Sequence, residues 1–166
     1  LEIAKTKIKR KKSMKYIIKK GEHFSQFTWN RLWPFVPNII RGKIKFGHEC
    51  GTAYVTQPGW NKLTGISSAR IHKNSVRIVW QPAGYQMVRV AFYAYINGKR
   101  HIIELGTIST NYDWPYKIVM AEMNYSVTIG FYRATLFGRH VYPRFRCFPY
   151  FGGRSTAPAD INITIN

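Results

Sequence analysis

Side chains able to do covalent chemistry are few and scattered. Seven acids, Glu2, Glu22, Glu49, Glu104, Asp113, Glu122 and Asp160, are spread over 166 residues. No two stand at a spacing that strand alternation would bring to one face, whereas hydrolysis of a glycoside needs two carboxyl groups roughly 5–10 Å apart. The histidines, His23, His48, His72, His101 and His140, are equally dispersed, and only His48 has an acid and a thiol beside it, in GHECG. Residues one or two apart on extended chain point to different or distant places, so this stretch does not assemble a Cys–His nucleophile. Cys50 and Cys147 form no CxxC and have no ligand cluster around them, so neither a metal site nor a cofactor is expected. No glycine-rich phosphate loop occurs either. These residues point to a protein that is not an enzyme.

Binding chemistry is better served. Arg77 in SVRIVW and Arg89, Tyr93 and Tyr95 in MVRVAFYAYI fall on single faces of alternating segments. Basic groups that neutralise phosphates beside rings that stack bases would make a nucleic-acid platform. The Lys/Arg-Gly-aromatic signature of RNA-recognition strands is missing from RVAFYAY, and the same tyrosines would serve equally as sandwich core. Glycans offer the other use of aromatic side chains, because sugar rings lie flat on indole faces. Trp60 in QPGWNKL and Trp114 in NYDWPY stand in turn-like contexts suited to that role or to anchoring a loop. The ExDxxE strand of jelly-roll glucanases is absent, as are the QxH and YxKxGxYxQ strands of jelly-roll alginate lyases.

Charge narrows the partner. The formal net charge is +19, and nine basic side chains, Lys5, Lys7, Lys9, Arg10, Lys11, Lys12, Lys15, Lys19 and Lys20, lie in the first twenty residues. Residues 1–20 therefore read as a basic arm, with residues 21–166 as the folded domain. An arm of this kind docks on an acidic surface, and the domain's remaining 17 basic and 6 acidic residues keep it cationic too. No stretch reaches the ~20 apolar residues of a membrane-spanning helix, and YII is too short for a secretory signal. The chain starts at Leu1, with Met14 as another candidate start.

Positioning these residues falls to strands. SVRIVW places Val76, Ile78 and Trp80 on one face and Ser75, Arg77 and Val79 on the other. In MVRVAFYAYINGKRHIIEL, Val88, Val90, Phe92, Ala94 and Ile96 share a face, and Asn97-Gly98 is a type I′ hairpin signal. GKIKF, YKIVMAEM, YSVTIGFYRATLF, HVYPRFRCF and DINITI add further strands, with Ile161, Ile163 and Ile165 on one side of the last. With no long helical period, the pattern predicts an all-β antiparallel sandwich of jelly-roll type behind a basic N-terminal arm. The aromatic run Phe148–Phe151 ahead of Gly152-Gly153 reads as a packed corner or a ligand site.

NKLTGISSARIHKNSVRIVW (61–80), YAYINGKR (93–100) and PYFGGRSTAPADINITI (149–165) resemble a family of small all-β proteins of bacteria and their phages. The resemblance spans most of the chain after residue 40. That family carries no assigned activity, so it supplies no catalytic residues; it implies a sandwich and a viral structural or accessory role. The expectation is a non-enzymatic module docked by its arm on a virion-like assembly, in homo- or hetero-oligomeric form. A glycan-binding domain and a nucleic-acid-binding protein are the alternatives, with a virion or extracellular location.

Overall fold

The computed structural model describes residues 13–25, 32–33, 35–52, 59–140 and 143–166. Twelve strands follow one another: β1 (Met14–Ile18), β2 (Leu32–Trp33), β3 (Ile39–Phe46), β4 (Asn61–Ser67), β5 (Ser75–Gly84) and β6 (Met87–Ile96). Then come β7 (Lys99–Ser109), β8 (Trp114–Met120), β9 (Tyr125–Ile129), β10 (Tyr132–Leu136), β11 (Phe145–Cys147) and β12 (Ile161–Ile165). A 3₁₀ turn, His48–Gly51, lies between β3 and β4. The strands make two six-stranded antiparallel sheets, ordered β1-β12-β3-β8-β9-β10 and β2-β11-β4-β5-β6-β7. This is the jelly-roll sandwich that the alternation predicts.

Period-two patterning accounts for which face of each strand is buried. Val76, Ile78 and Trp80 of β5 and Val88, Val90, Phe92 and Ala94 of β6 enter one core with Ile44, Phe46, Ile118, Val127 and Ile129 of the opposing sheet. Each such side chain removed from water contributes roughly 1.5–3 kcal/mol. Phe46 meets Trp80 edge-on at 5.4 Å between ring centroids, locking the two layers together. The β6–β7 turn is built as the dipeptide requires: Asn97 has φ 51° and Gly98 φ 83°, the left-handed pair that matches hairpin twist.

The basic arm assigned to residues 1–20 needs a correction at its end. Met14–Ile18 form β1, paired with β12 in the register Lys15↔Thr164 and Tyr16↔Ile163. Tyr16 and Ile18 are buried, and that apolar gain outweighs the charge run that disguised them. Lys19 pairs with Asp160 at 2.7 Å, and the Lys20 backbone N–H donates to the same carboxylate at 3.0 Å. That partnership holds the Asp160 carboxyl below its ordinary pKa. Lys19 is thus bonded within the chain, while Lys15 is exposed on β1. Lys5, Lys7, Lys9, Arg10, Lys11 and Lys12 lie outside the described residues.

Candidate functional site

The outer face of the β2-β11-β4-β5-β6-β7 sheet is unlike an ordinary solvated face. Arg77, Val79 and Gln81 of β5 lie beside Tyr93, Ala91 and Arg89 of β6, cross-strand partners in the pairs Arg77↔Tyr93, Val79↔Ala91 and Gln81↔Arg89. Val79, Ala91 and Tyr93 make a second apolar cluster against which Trp60 and Tyr95 pack. Arg77, Arg89, Tyr93, Tyr95 and Trp60 are therefore brought together, as strand alternation implies for the first four. Trp114 is not among them. It begins β8 in the other sheet, donates its indole N–H to the Ser109 carbonyl at 2.8 Å and stacks edge-on with Tyr112 at 5.0 Å, which makes it a loop anchor.

The cations are held in place by contacts on both sides. The Arg89 guanidinium lies 5.7 Å from the Trp60 ring centre, donates to Gln81 Oε1 at 2.5 Å and stands 3.7 Å from the Glu104 carboxylate. Gln81 Nε2 in turn donates to the Gly59 carbonyl at 3.1 Å. Lys62 Nζ donates to the Trp60 carbonyl at 2.8 Å and sits 5.9 Å from the Tyr93 and Tyr150 ring centres. Burial, reinforced by the charges of Arg77 and Arg100, lowers its ammonium pKa to about 8. Tyr93, 7% exposed and adjoining the Tyr95 hydroxyl at 3.5 Å, is pushed up to about 12, with burial the main cause.

Two loops wall one end of this face. Residues 68–74 close with Ser68 N–H donating to the Asn74 carbonyl at 2.9 Å, and Asn74 Oδ1 accepts from Asn97 N–H at 3.0 Å, tying the loop to the β6–β7 turn. The aromatic segment after β11 runs beside β4 through reciprocal Lys62–Tyr150 backbone bonds of 2.8 and 2.9 Å. His23 stacks flat on Tyr150 at 5.1 Å, and Phe24 meets that ring edge-on at 4.9 Å. Buried Gly152 supplies the left-handed corner, with φ 65° and its N–H donating to Asn61 Oδ1 at 2.6 Å. Gly153 has open space around it, so the conformational demand falls on Gly152. Between the loops lies a pocket of about 230 Å³ whose lining includes Lys62, His72, Arg77, Cys147, Phe148 and Tyr150.

Lys62, Gln81, Arg100 and Tyr150 are additions to the sequence-derived set. Gln81 was legible from its alternation with Arg77 and Val79. The same cannot be said of Lys62, because a register shift between Lys62 and Thr64 breaks the alternation of β4. GHECG serves the fold: Glu49 Oε1 accepts from Asn162 N–H at 2.6 Å and from its side-chain amide at 2.7 Å. Cys50 is buried, with its thiol pKa raised mainly by that burial and next by Glu49. Cys50 and Cys147 are both free thiols.

Chemically, the face can hold an extended ligand by ring stacking, cationic contacts and amide hydrogen bonds. Glu104 is the single carboxylate on β4, β5, β6 and β7, so this face lacks the two acids of a glycoside-hydrolysing pair. Among the described residues no three His, Cys, Asp or Glu side chains gather as a metal site requires, and no helix is long and apolar enough to cross a membrane.

No protein-family model matches the chain, and no curated protein matches its sequence. Its fold does match solved structures. An alginate lyase from Klebsiella pneumoniae superposes with a TM-score of 0.59 at 14% identity, over 76% of this chain and 56% of the lyase. The chain thus spans little more than half of that enzyme's length. An alginate lyase from Alteromonas sp. 272 gives 0.53 at 10% identity, over 77% of this chain and 68% of that one. A β-1,3-1,4-glucanase (lichenase) from a mouse hindgut metagenome gives 0.54 at 10% identity, over 92% of this chain and 77% of the enzyme. These likenesses establish the jelly-roll sandwich. They also correct the expectation of a structural module docked by a basic arm on a virion-like assembly: the similar structures are polysaccharide-degrading enzymes, which accord with the glycan alternative. The expectation of a non-enzyme loses ground on the same finding, and nucleic-acid and oligomeric partners gain no support from it.

Proposed function

We propose that this protein binds a polysaccharide across the outer face of the β2-β11-β4-β5-β6-β7 sheet, with Trp60, Arg89 and Tyr95 as the principal contacts and buried Gln81 positioning Arg89. The observation that carries the reading is the linked row Trp60–Arg89–Gln81, in which an indole, a guanidinium and an amide are held at 5.7 and 2.5 Å on one face. Sugar rings need a rigid apolar surface edged by directional donors and acceptors, and this row supplies both without the ordering cost of free side chains. Solved structures of the same fold that act on alginate and β-glucan support the choice of ligand class. An extracellular location accords with it.

Affinity electrophoresis of the intact protein through gels containing alginate, a neutral β-1,3-1,4-glucan or no polymer tests the proposal. Retardation by at least one glycan, relieved in Trp60→Ala and Arg89→Ala variants that keep the wild-type circular dichroism, is the expected result. Absence of retardation by any glycan, together with salt-sensitive binding to nucleic acid, would overturn it. Incubating the same glycans with the protein and sizing the products shows whether binding is accompanied by cleavage.

A further inference from the structure

The pocket at the walled end of this face has a charge imbalance that the described residues do not resolve. Arg77 is 6% exposed, yet its Nε has no hydrogen-bond partner among the described residues. Among the described residues its Nη2 makes only long contacts, 3.4 Å to Ser75 Oγ and 3.5 Å to the Ile71 carbonyl, and the guanidinium lies 6.0 Å from the Tyr93 ring centre, which supplies no negative charge. Lys62, a second cation, lines the same pocket, and no acid among the described residues does. None of the ion pairs among the described residues involves Arg77 or Lys62. Outside the described residues the sequence holds one acid, Glu2. A buried guanidinium is expensive to leave uncompensated, and a neighbouring ammonium raises the cost further.

Shape narrows the anion. At about 230 Å³ the pocket is smaller than the roughly 300–1,000 Å³ of drug-sized sites, which suits one sugar ring and not an oligosaccharide. Phe24, Phe148 and Tyr150 supply apolar walls, and the two cations stand on the sheet side. A guanidinium presents a planar fork of donors that can hold both oxygens of a carboxylate, and the Lys62 ammonium adds a point charge beside it.

We infer that this pocket seats a single carboxylate-bearing sugar ring, a uronate at the end of a glycan chain, with its carboxylate on Arg77 and Lys62 and its ring against Tyr150 and Phe148. The inference rests on the glycan-binding reading and names its substrate class: an acidic polysaccharide recognised at a terminal residue. Lying between the 68–74 loop and the 148–153 segment, the pocket would set where the bound chain stops, while Trp60 and Arg89 hold the sugars that follow.

Chemical-shift mapping of the full chain with free glucuronate, glucose and glucose 6-sulfate is the test. Saturable shifts with glucuronate, centred on residues 62, 72, 77 and 150, are expected, with no saturation by glucose. Lys62→Gln should weaken glucuronate at least about tenfold, as loss of one charge-assisted contact implies. Arg77→Gln should do the same, and if that variant does not fold, Lys62→Gln and the conservative Arg77→Lys decide the matter. Lys117→Gln, at an exposed cation on the opposite sheet, should leave glucuronate binding intact. Equal binding of glucose and glucuronate, preference for the sulfate, or indifference to Lys62→Gln overturns the pocket assignment. Polymer retardation without any glucuronate effect sinks the pocket and leaves the broader reading standing. Glucuronate binding without polymer retardation does the reverse.

Discussion

Replacing Lys62 with Met isolates what the candidate site takes from the stability of the fold. In the native protein this ammonium titrates at about 8 instead of its ordinary 10.5, because burial and then the charges of Arg77 and Arg100 disfavour the protonated form. Between those two values the unfolded chain holds the proton while the native chain has released it. Stability therefore rises with pH across the window, since the state that binds more protons loses ground as they become scarce. At face value the gap is worth about 3 kcal/mol. The side chain is only half-buried, however, and solvent screening brings the contribution to about 1–2 kcal/mol. Met keeps most of the aliphatic stem, and the contacts it forfeits, to the carbonyls of Trp60 and Gly152, do not themselves titrate.

Urea unfolding of wild type and Lys62→Met, from about pH 7 to about pH 9.5, separates that titration from those constant losses. The upper limit stays below the ordinary tyrosine range, because Tyr93 is protonated up to about 12 in the fold and would contribute a slope of the opposite sign. Wild type should gain about 1 kcal/mol relative to the variant over this interval, whatever the offset between them at neutral pH. Parallel curves would mean that Lys62 titrates as a solvated lysine, and the crowding of cations on this face would lose its energetic meaning. An acid paired with Lys62 in solution would raise its pKa above the ordinary 10.5 and leave the curves parallel over this window too, and the anion pocket would then go with it.

Other consequences are simpler to read. Gly152→Ala should lower stability by roughly 1–2 kcal/mol, the cost of a left-handed backbone with a Cβ, whereas Gly153→Ala should change the urea midpoint little. Cys50 and Cys147 are buried free thiols, so a thiol reagent should label neither in the native state and both in urea. Glu49→Ala removes the acceptor of both Asn162 hydrogen bonds and should cost about 1–3 kcal/mol in thermal or urea unfolding, a loss that Glu49→Gln partly restores. Far-ultraviolet circular dichroism should show a β-dominated spectrum with little helix, and a helical spectrum would refute the sandwich.

What the sequence made legible follows from what period-two patterning can encode. It separates the two faces of β5, β6 and β12, and so it found the core residues Val76, Ile78, Trp80 and Phe92 and also grouped Arg89, Tyr93 and Tyr95. It is blind where the period breaks or where a contact is made in space. Lys62 sits at the β4 register shift, and its partner Tyr150 arrives from the far end of the chain. Trp60 and Trp114 look alike as turn tryptophans, yet one lies against Arg89 and the other caps the opposite sheet. β1 was hidden for a different reason: Tyr16 and Ile18 are only two buried positions in a lysine run, and the strand becomes visible through the apolar row Ile161, Ile163 and Ile165 that it covers.

The contrast between the two outer faces supports the proposal that the cations of the candidate site serve binding. On the β1-β12-β3-β8-β9-β10 sheet, Arg41 lies opposite Lys117, and Thr128 separates Lys117 from Arg133. Lys15 and Lys45 flank Thr164 in the same way. All of these cations are exposed, where water and salt screen their repulsion and a charge costs little. Net charge and solubility need nothing more than this arrangement. On the opposite sheet, Arg77 is buried and Lys62 half-buried among aromatic rings, with one orphaned guanidinium N–H among the described residues and a lysine pKa brought down to about 8. Solubility cannot account for charges withdrawn from water, and apolar residues of similar volume would make that face more stable. A fold gives up stability locally where a ligand recovers it. Arg77 and Lys62 are therefore the residues whose removal should separate loss of binding from loss of structure.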